Sequence, residues 1–146
     1  MMNWLKYFVD YGIVGLLIVL SAVSVALFIE RLLFLRKLDF SLYDKDRKTL
    51  EIDVTKGLTI IASIGSNSPY IGLLGTVLGI MLTFYSIGVE GLVDATKIMV
   101  GLALALKATA VGLLVAIPSL AFYNYLLRRA RVILLEWDRE HGRKGI

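Results

Sequence analysis

The residues able to do chemistry in this chain are few, and most of them are hydroxyls. Thr76, Thr83, Thr109 and Ser119 stand inside long apolar runs, and Lys107 stands two residues before Thr109. A hydroxyl has one proton to donate and lone pairs to accept with, so such groups can orient water or a carboxylate. They cannot store a proton, and the apolar runs around them contain no Asp, Glu or His. No carboxylate relay can be built from those runs alone. The chain has no cysteine and a single histidine, His141, in its polar tail. Thiol chemistry, disulfides and a histidine-built metal centre are therefore excluded, and no cofactor is expected. The residues do not read as an enzyme.

The spacing of the hydroxyls puts them among small residues. At about 100° per residue, Gly72, Gly75, Thr76, Gly79, Thr83 and Ser86 share one arc of a helix. Gly101, Ala105, Ala108, Thr109, Gly112, Ala116, Ser119 and Tyr123 share an arc of similar width on the next helix. Two readings fit these faces. Small residues let membrane helices approach closely, with no further role. Alternatively, the faces line an oligomeric channel fitted around a partner helix. Lys107 lies about 160° from Thr109 on the same wheel and so stands off the small face. An ionisable group within a span is a functional candidate by default. The favoured reading here is structural: Lys107 snorkels at the outer interface, or pairs with Glu90 or Asp94.

These positions need membrane helices to hold them. The chain has 146 residues, 58% of them hydrophobic, more than the roughly half expected of a soluble domain. Tyr11 to Ile29 is a run of nineteen residues without a charge, close to the ~20 needed to span the hydrocarbon core. Glu30 and Arg31 follow it in place of a small-residue cleavage site, so it reads as a retained span and not a signal peptide. Residues 30–56 mix seven basic with six acidic side chains and predict a charged helix leading towards the membrane. Gly57 to Val89 then carries no charge over 33 residues. The "SNSP" at 66–69 is expected to divide that run, with Ser68 as cap and Pro69 at the first helical position. The second span is accordingly placed at 70–87, preceded by a shorter apolar helix. A third apolar stretch, 98–127, contains Lys107 and Pro118.

Basic residues orient the spans, because cytoplasmic segments carry the lysine and arginine excess. Segment 30–56 holds seven and the tail after Leu127 holds six, against one each in the N-terminus and the 88–97 link. Three spans at 11–29, 70–87 and 98–127 are expected, with the N-terminus periplasmic and the C-terminus cytoplasmic. Segments 30–66 and 128–146 are then cytoplasmic, and the whole chain is one domain.

The blocks "NSPYIGLLGTVLGIMLTF" and "GLALALKATAVGLLVAIPSLAFYN" resemble the ExbB/TolQ branch of the MotA/TolQ/ExbB proton-channel family. The resemblance covers about residues 67–124, with both blocks in the family's order and separation. It implies an all-α inner-membrane motor subunit, with long helices extending into the cytoplasm and a homo-oligomeric ring, usually a pentamer. The ring encloses the single transmembrane helices of an ExbD- or TolR-like partner and drives TonB or TolA with the proton-motive force. Uptake of iron complexes across the outer membrane is the implied task, with a TolQ-like role in outer-membrane integrity as the alternative. The family's pore-facing threonines match Thr76 in "GTV" and Thr109 in "ATA". Thr83 and Ser119 are added to the expected pore lining from the wheel. Gly72, Gly75, Gly79, Gly101, Ala105, Ala108, Gly112 and Ala116 are expected at helix packing or partner-helix contacts. The glutamate that the family carries five residues before the second threonine is Leu104 here. The titrating carboxylate is therefore expected on the partner, where the family carries an aspartate. A passive structural oligomer is the runner-up from another class.

Overall fold

The computed structural model describes residues 2–43, 46–91 and 94–144. The first helix opens as α1 (Met2–Tyr7), passes through a π-helical turn at Phe8–Gly12 and continues as α2 (Ile13–Arg36). A 3₁₀ turn at Phe40–Tyr43 follows, then α3 (Arg47–Thr55), α4 (Leu58–Glu90) and α5 (Ala95–Lys144). Among the described residues there is no strand. Three helical segments are long and apolar enough to cross a membrane: Trp4–Arg36, Arg47–Glu90 and Ala95–Gly142.

α4 does not divide at residues 66–69. It runs unbroken from Leu58 to Glu90 with Pro69 inside it, and the expected separate helix before Tyr70 is its first third. A proline inside a helix removes one backbone hydrogen bond and crowds the carbonyl four residues earlier. The polar side chains beside Pro69 act on that stretch. Asn67 Nδ2 donates to the Ser63 carbonyl at 2.8 Å, and Ser68 Oγ donates to the Ile64 carbonyl at 2.6 Å. Ser68 thus bonds backwards along the helix and is no cap. Gly57 starts α4 instead, in the left-handed conformation at φ 79° that suits a residue without Cβ. α4 ends similarly at Gly91, whose N–H donates to the Ile87 carbonyl.

The mixed-charge segment is also not one helix. Its start, Glu30–Arg36, completes α2, and only Arg47–Thr55 forms a separate helix, α3, capped by the Asp46 carboxylate on Lys48 N–H and Thr49 N–H. The third apolar stretch lies in the N-terminal part of α5, which carries on through the basic tail to Lys144.

α4 and α5 form an antiparallel hairpin, and α2 lies along it, parallel to α5. Ser24 Oγ meets Ser119 Oγ at 2.8 Å, a register offset of 95 residues. Leu17, Ile64 and Val115 bury one cluster where the three helices meet. A larger core sits at the opposite end from the hairpin turn. There Leu50 and Val54 of α3 pack with Leu58, Ile61, Leu126, Ala130, Ile133 and Trp137. Arg47 straps this end shut through two contacts to the Asp138 carboxylate, at 2.7 and 3.2 Å. Trp137 Nε1–H donates to the Tyr43 carbonyl at 3.2 Å. The Arg47 hydrogen bond holds Asp138 below the usual carboxylate range. Arg31 is buried at the joint between α2, α3 and α4. It donates to the Asp53 carbonyl at 3.2 Å, pairs with Glu30 at 2.7 Å and lies over the Phe34 ring.

Candidate functional site

The small-residue faces of α4 and α5 are turned on each other. A Cβ built on Gly72 would stand 2.7 Å from the Ala108 carbonyl oxygen and 3.1 Å from Gly112 Cα. One on Gly112 would stand 2.6 Å from the Ser68 carbonyl oxygen. Gly75 faces the Ala108 methyl, Gly79 faces Ala105, and Gly101 faces Thr83. These glycines and alanines therefore form one seam inside the chain, as close backbone approach between membrane helices requires. Within the chain this face is taken up by helix packing. Ala116 is buried as well.

The seam encloses a pair of hydroxyls. Thr76 Oγ1 and Thr109 Oγ1 lie 2.6 Å apart, 33 residues apart in sequence. Thr76 Oγ1 also donates to the Ala105 carbonyl at 2.9 Å, across the seam. The Gly72 carbonyl lies at 3.4 Å from each hydroxyl. Thr76 is buried and Thr109 is half-buried. On their helices the two threonines stand about 120° from Ile64 and Val115, the residues packed against α2. The pair thus lies towards the flank of the hairpin that α2 leaves open. That flank is apolar: Leu73, Val77 and Leu113 are exposed along it.

The chemistry available to this pair follows from counting protons. With the Thr76 proton on the Ala105 carbonyl, the Thr109 proton is directed to Thr76 Oγ1. Thr109 Oγ1 then keeps lone pairs to accept with. A hydroxyl presented as an acceptor favours the protonated form of a carboxyl group brought against it.

The other residues singled out by type fall elsewhere. Ser119 does not line a passage: it is buried at 1% exposure and joined to Ser24 of α2, while donating to the Val115 carbonyl. Within the chain Ser119, expected in a pore lining, faces α2. Ser24 is the partner that sequence reading missed; its only signal was a hydroxyl within an apolar run. Thr83 bonds back to the Gly79 carbonyl at 2.9 Å. With Gly101, Lys6, Glu90 and Lys97 it lines a cavity of about 440 Å³ at the hairpin-turn end. The Gly79–Ala105 contact separates that cavity from the threonine pair. Lys107 is exposed and lies on the α2 side of α5, about 80° from Val115. It pairs with neither Glu90 nor Asp94. Glu90 instead meets Lys97 at 3.6 Å, and Lys107 is about 18 Å further along α5 from its first turn.

Comparison with known proteins agrees with this architecture. The MotA/TolQ/ExbB proton channel family matches residues 35–139. A biopolymer transport protein ExbB from Aquifex aeolicus is 54% identical over 142 residues, covering 97% of this chain and 95% of the relative. A putative biopolymer transport protein ExbB-like 2 from Helicobacter pylori is 53% identical over 137 residues, 94% of this chain and 91% of the relative. A biopolymer transport protein ExbB from a second Helicobacter pylori strain is 54% identical over 132 residues, 90% of each chain.

Proposed function

This chain belongs to the MotA/TolQ/ExbB proton channel family, and from that premise we propose that its threonine pair is where a partner's carboxyl group takes up and releases protons. The family is one of proton-channel and transport subunits that act in complexes, and the chain is a multi-pass inner-membrane protein. The observation that carries the proposal is the 2.6 Å contact between Thr76 and Thr109, two hydroxyls enclosed in the small-residue seam.

In this reading several copies, with a pentamer favoured, form a ring with the α4/α5 flank inward. A single-span partner of the ExbD type fills the ring and brings an aspartate to the height of the pair. Thr109 Oγ1 accepts a hydrogen bond from the protonated carboxyl and so steadies the neutral, loaded state. Deprotonation removes that donor, and the carboxylate is released from the contact. The wall orients the titrating group but holds no proton itself, since Leu104 and its neighbours offer no acid. The work is delivered to a TonB-like protein and powers uptake across the outer membrane. The names of these relatives favour this ExbB-like task over a TolQ-like one. The excess of basic residues at the α3 end supports a periplasmic N-terminus and a cytoplasmic C-terminus.

The test is partner-dependent uptake of an iron complex by cells carrying Thr109→Ala or Thr109→Val. Both are expected to lose most uptake at normal protein levels, and near-normal uptake with both overturns the proposal.

A further inference from the structure

On the side of the molecule away from the threonine pair, α2 and α5 leave an open groove of about 620 Å³. Ile18, Ala22 and Val25 wall it on α2, and Val111, Leu114 and Val115 wall it on α5. Ser21 is the one polar side chain of an otherwise apolar lining. Lys107 lies on the same face of α5, between Val111 and Leu114 on the helical wheel and about one and two turns above them. Among the described residues it makes no ion pair.

The register places this lysine at a membrane boundary. The offset of 95 residues between α2 and α5 at Ser24–Ser119 recurs at Ile13, which meets Gly75 beside Ala108. Lys107 is therefore level with Gly12. Charges bracket the same slab on two helices, Asp10 and Glu30 on the first and Lys107 and Arg128 on α5, while the uncharged run of α4 extends past it to Val89. Both charged intervals are close to the ~20 helical residues that cross the hydrocarbon core. Lys107 thus stands where the core ends, on the hairpin-turn side. Tyr7 and Tyr11, stacked at 5.9 Å and both exposed, flank that level on the first helix. Tyrosine is enriched at that depth of a bilayer.

We propose that the α2/α5 groove binds one anionic phospholipid of the periplasmic leaflet, with its phosphate on Lys107 and an acyl chain along Val111, Leu114 and Ala22. Two magnitudes fit. Half of a ~30 Å core is ~15 Å, or about ten helical residues, which takes a chain from Lys107 past Val115. A lysine held at the core boundary is best satisfied by an anion at the same depth, and no carboxylate is paired with it.

The proposal needs only the three spans and is read apart from proton-driven work. The full-length protein would be purified from membranes in mild detergent and its retained lipid counted by native mass spectrometry. Dioleoyl phosphatidylglycerol and dioleoyl phosphatidylcholine would then be offered in mixed micelles. Wild type and Lys107→Arg are expected to keep the phosphatidylglycerol in several-fold preference. Lys107→Leu and Lys107→Gln should lose that preference, and Ala22→Phe should lower retention of either lipid by filling the groove. An unchanged preference in both Lys107→Leu and Lys107→Gln overturns the proposal, as does unchanged retention in Ala22→Phe. The chain has no cysteine of its own, so Ala22→Cys also reports the rival occupant. Disulfide-linked dimers of that variant in membranes would show a second copy in the groove and would sink the lipid reading.

Discussion

Thr76 and Thr109 do different jobs although they share one contact. Thr76 is buried, spans the seam to the Ala105 carbonyl and fixes the direction of the hydrogen-bond chain. Thr109 is half-buried and ends that chain. Thr76→Val keeps the volume but removes the donor to Ala105, so uptake should fall as far as in Thr109→Val, while Thr76→Ser should restore most of it. Ser119 gives the contrast. Its bond to Ser24 holds α2 to the hairpin, and Ser119 keeps the Val115 carbonyl when Ser24 is removed. Ser24→Ala should therefore cost about 0.6 kcal/mol, the average worth of such interhelical bonds. Unfolding in detergent would measure that loss, and transport should be unaffected. That both threonines lie on the facing small-residue faces was legible in the sequence, because glycine and alanine recur around them at helical spacing. The contact of Ser119 with α2 was not legible, because a wheel assigns a face to one helix and cannot say which neighbour covers it.

Among the elements, the hairpin seam tolerates least. An added Cβ at Gly112 meets backbone, the Ser68 carbonyl and Gly72 Cα, and not a side chain that could swing aside. Gly112→Ala should destabilise the protein by about 1–3 kcal/mol, the range for overpacking, seen as a lower aggregation temperature in detergent. Gly88→Ala, where nothing lies within 4 Å of the new methyl, should be near neutral. The strap at the other end is electrostatic. Asp138 is held below the ordinary carboxylate range by Arg47, so the folded state favours its ionised form. That stabilisation is complete above an ordinary value of about 3.9 and is lost as pH falls through the lower folded value. Protection of α3 amides relative to their intrinsic exchange should fall over that acidic window. Asp138→Asn should remove the strap's share of the loss, leaving that of Asp46, which caps α3 and is also held low by its bonds to Thr49. The three apolar runs were readable from their length and lack of charge. The continuity of α4 through Pro69 was not, because cap residues in a sequence look the same whether they start a helix or bond back along one. Here packing of Gly65 against Leu120 and of Gly72 against Gly112 holds the helix together across the proline.

For the whole molecule, the threonine contact is closed within a single chain and needs no neighbouring copy. That has a genetic consequence. In the proposed ring, when it is assembled from two alleles, every chain carrying Thr76→Val or Thr109→Val alone lacks a complete pair. A cell with one lesion on each allele has no intact pair anywhere in its rings. A cell with both lesions on one allele, beside a wild-type copy, still has an intact pair in each wild-type subunit. The cis arrangement should therefore support uptake and the trans arrangement should not, at equal expression. Had the two hydroxyls met across a subunit boundary, mixed rings of either arrangement would form some intact pairs, and the difference between cis and trans would shrink.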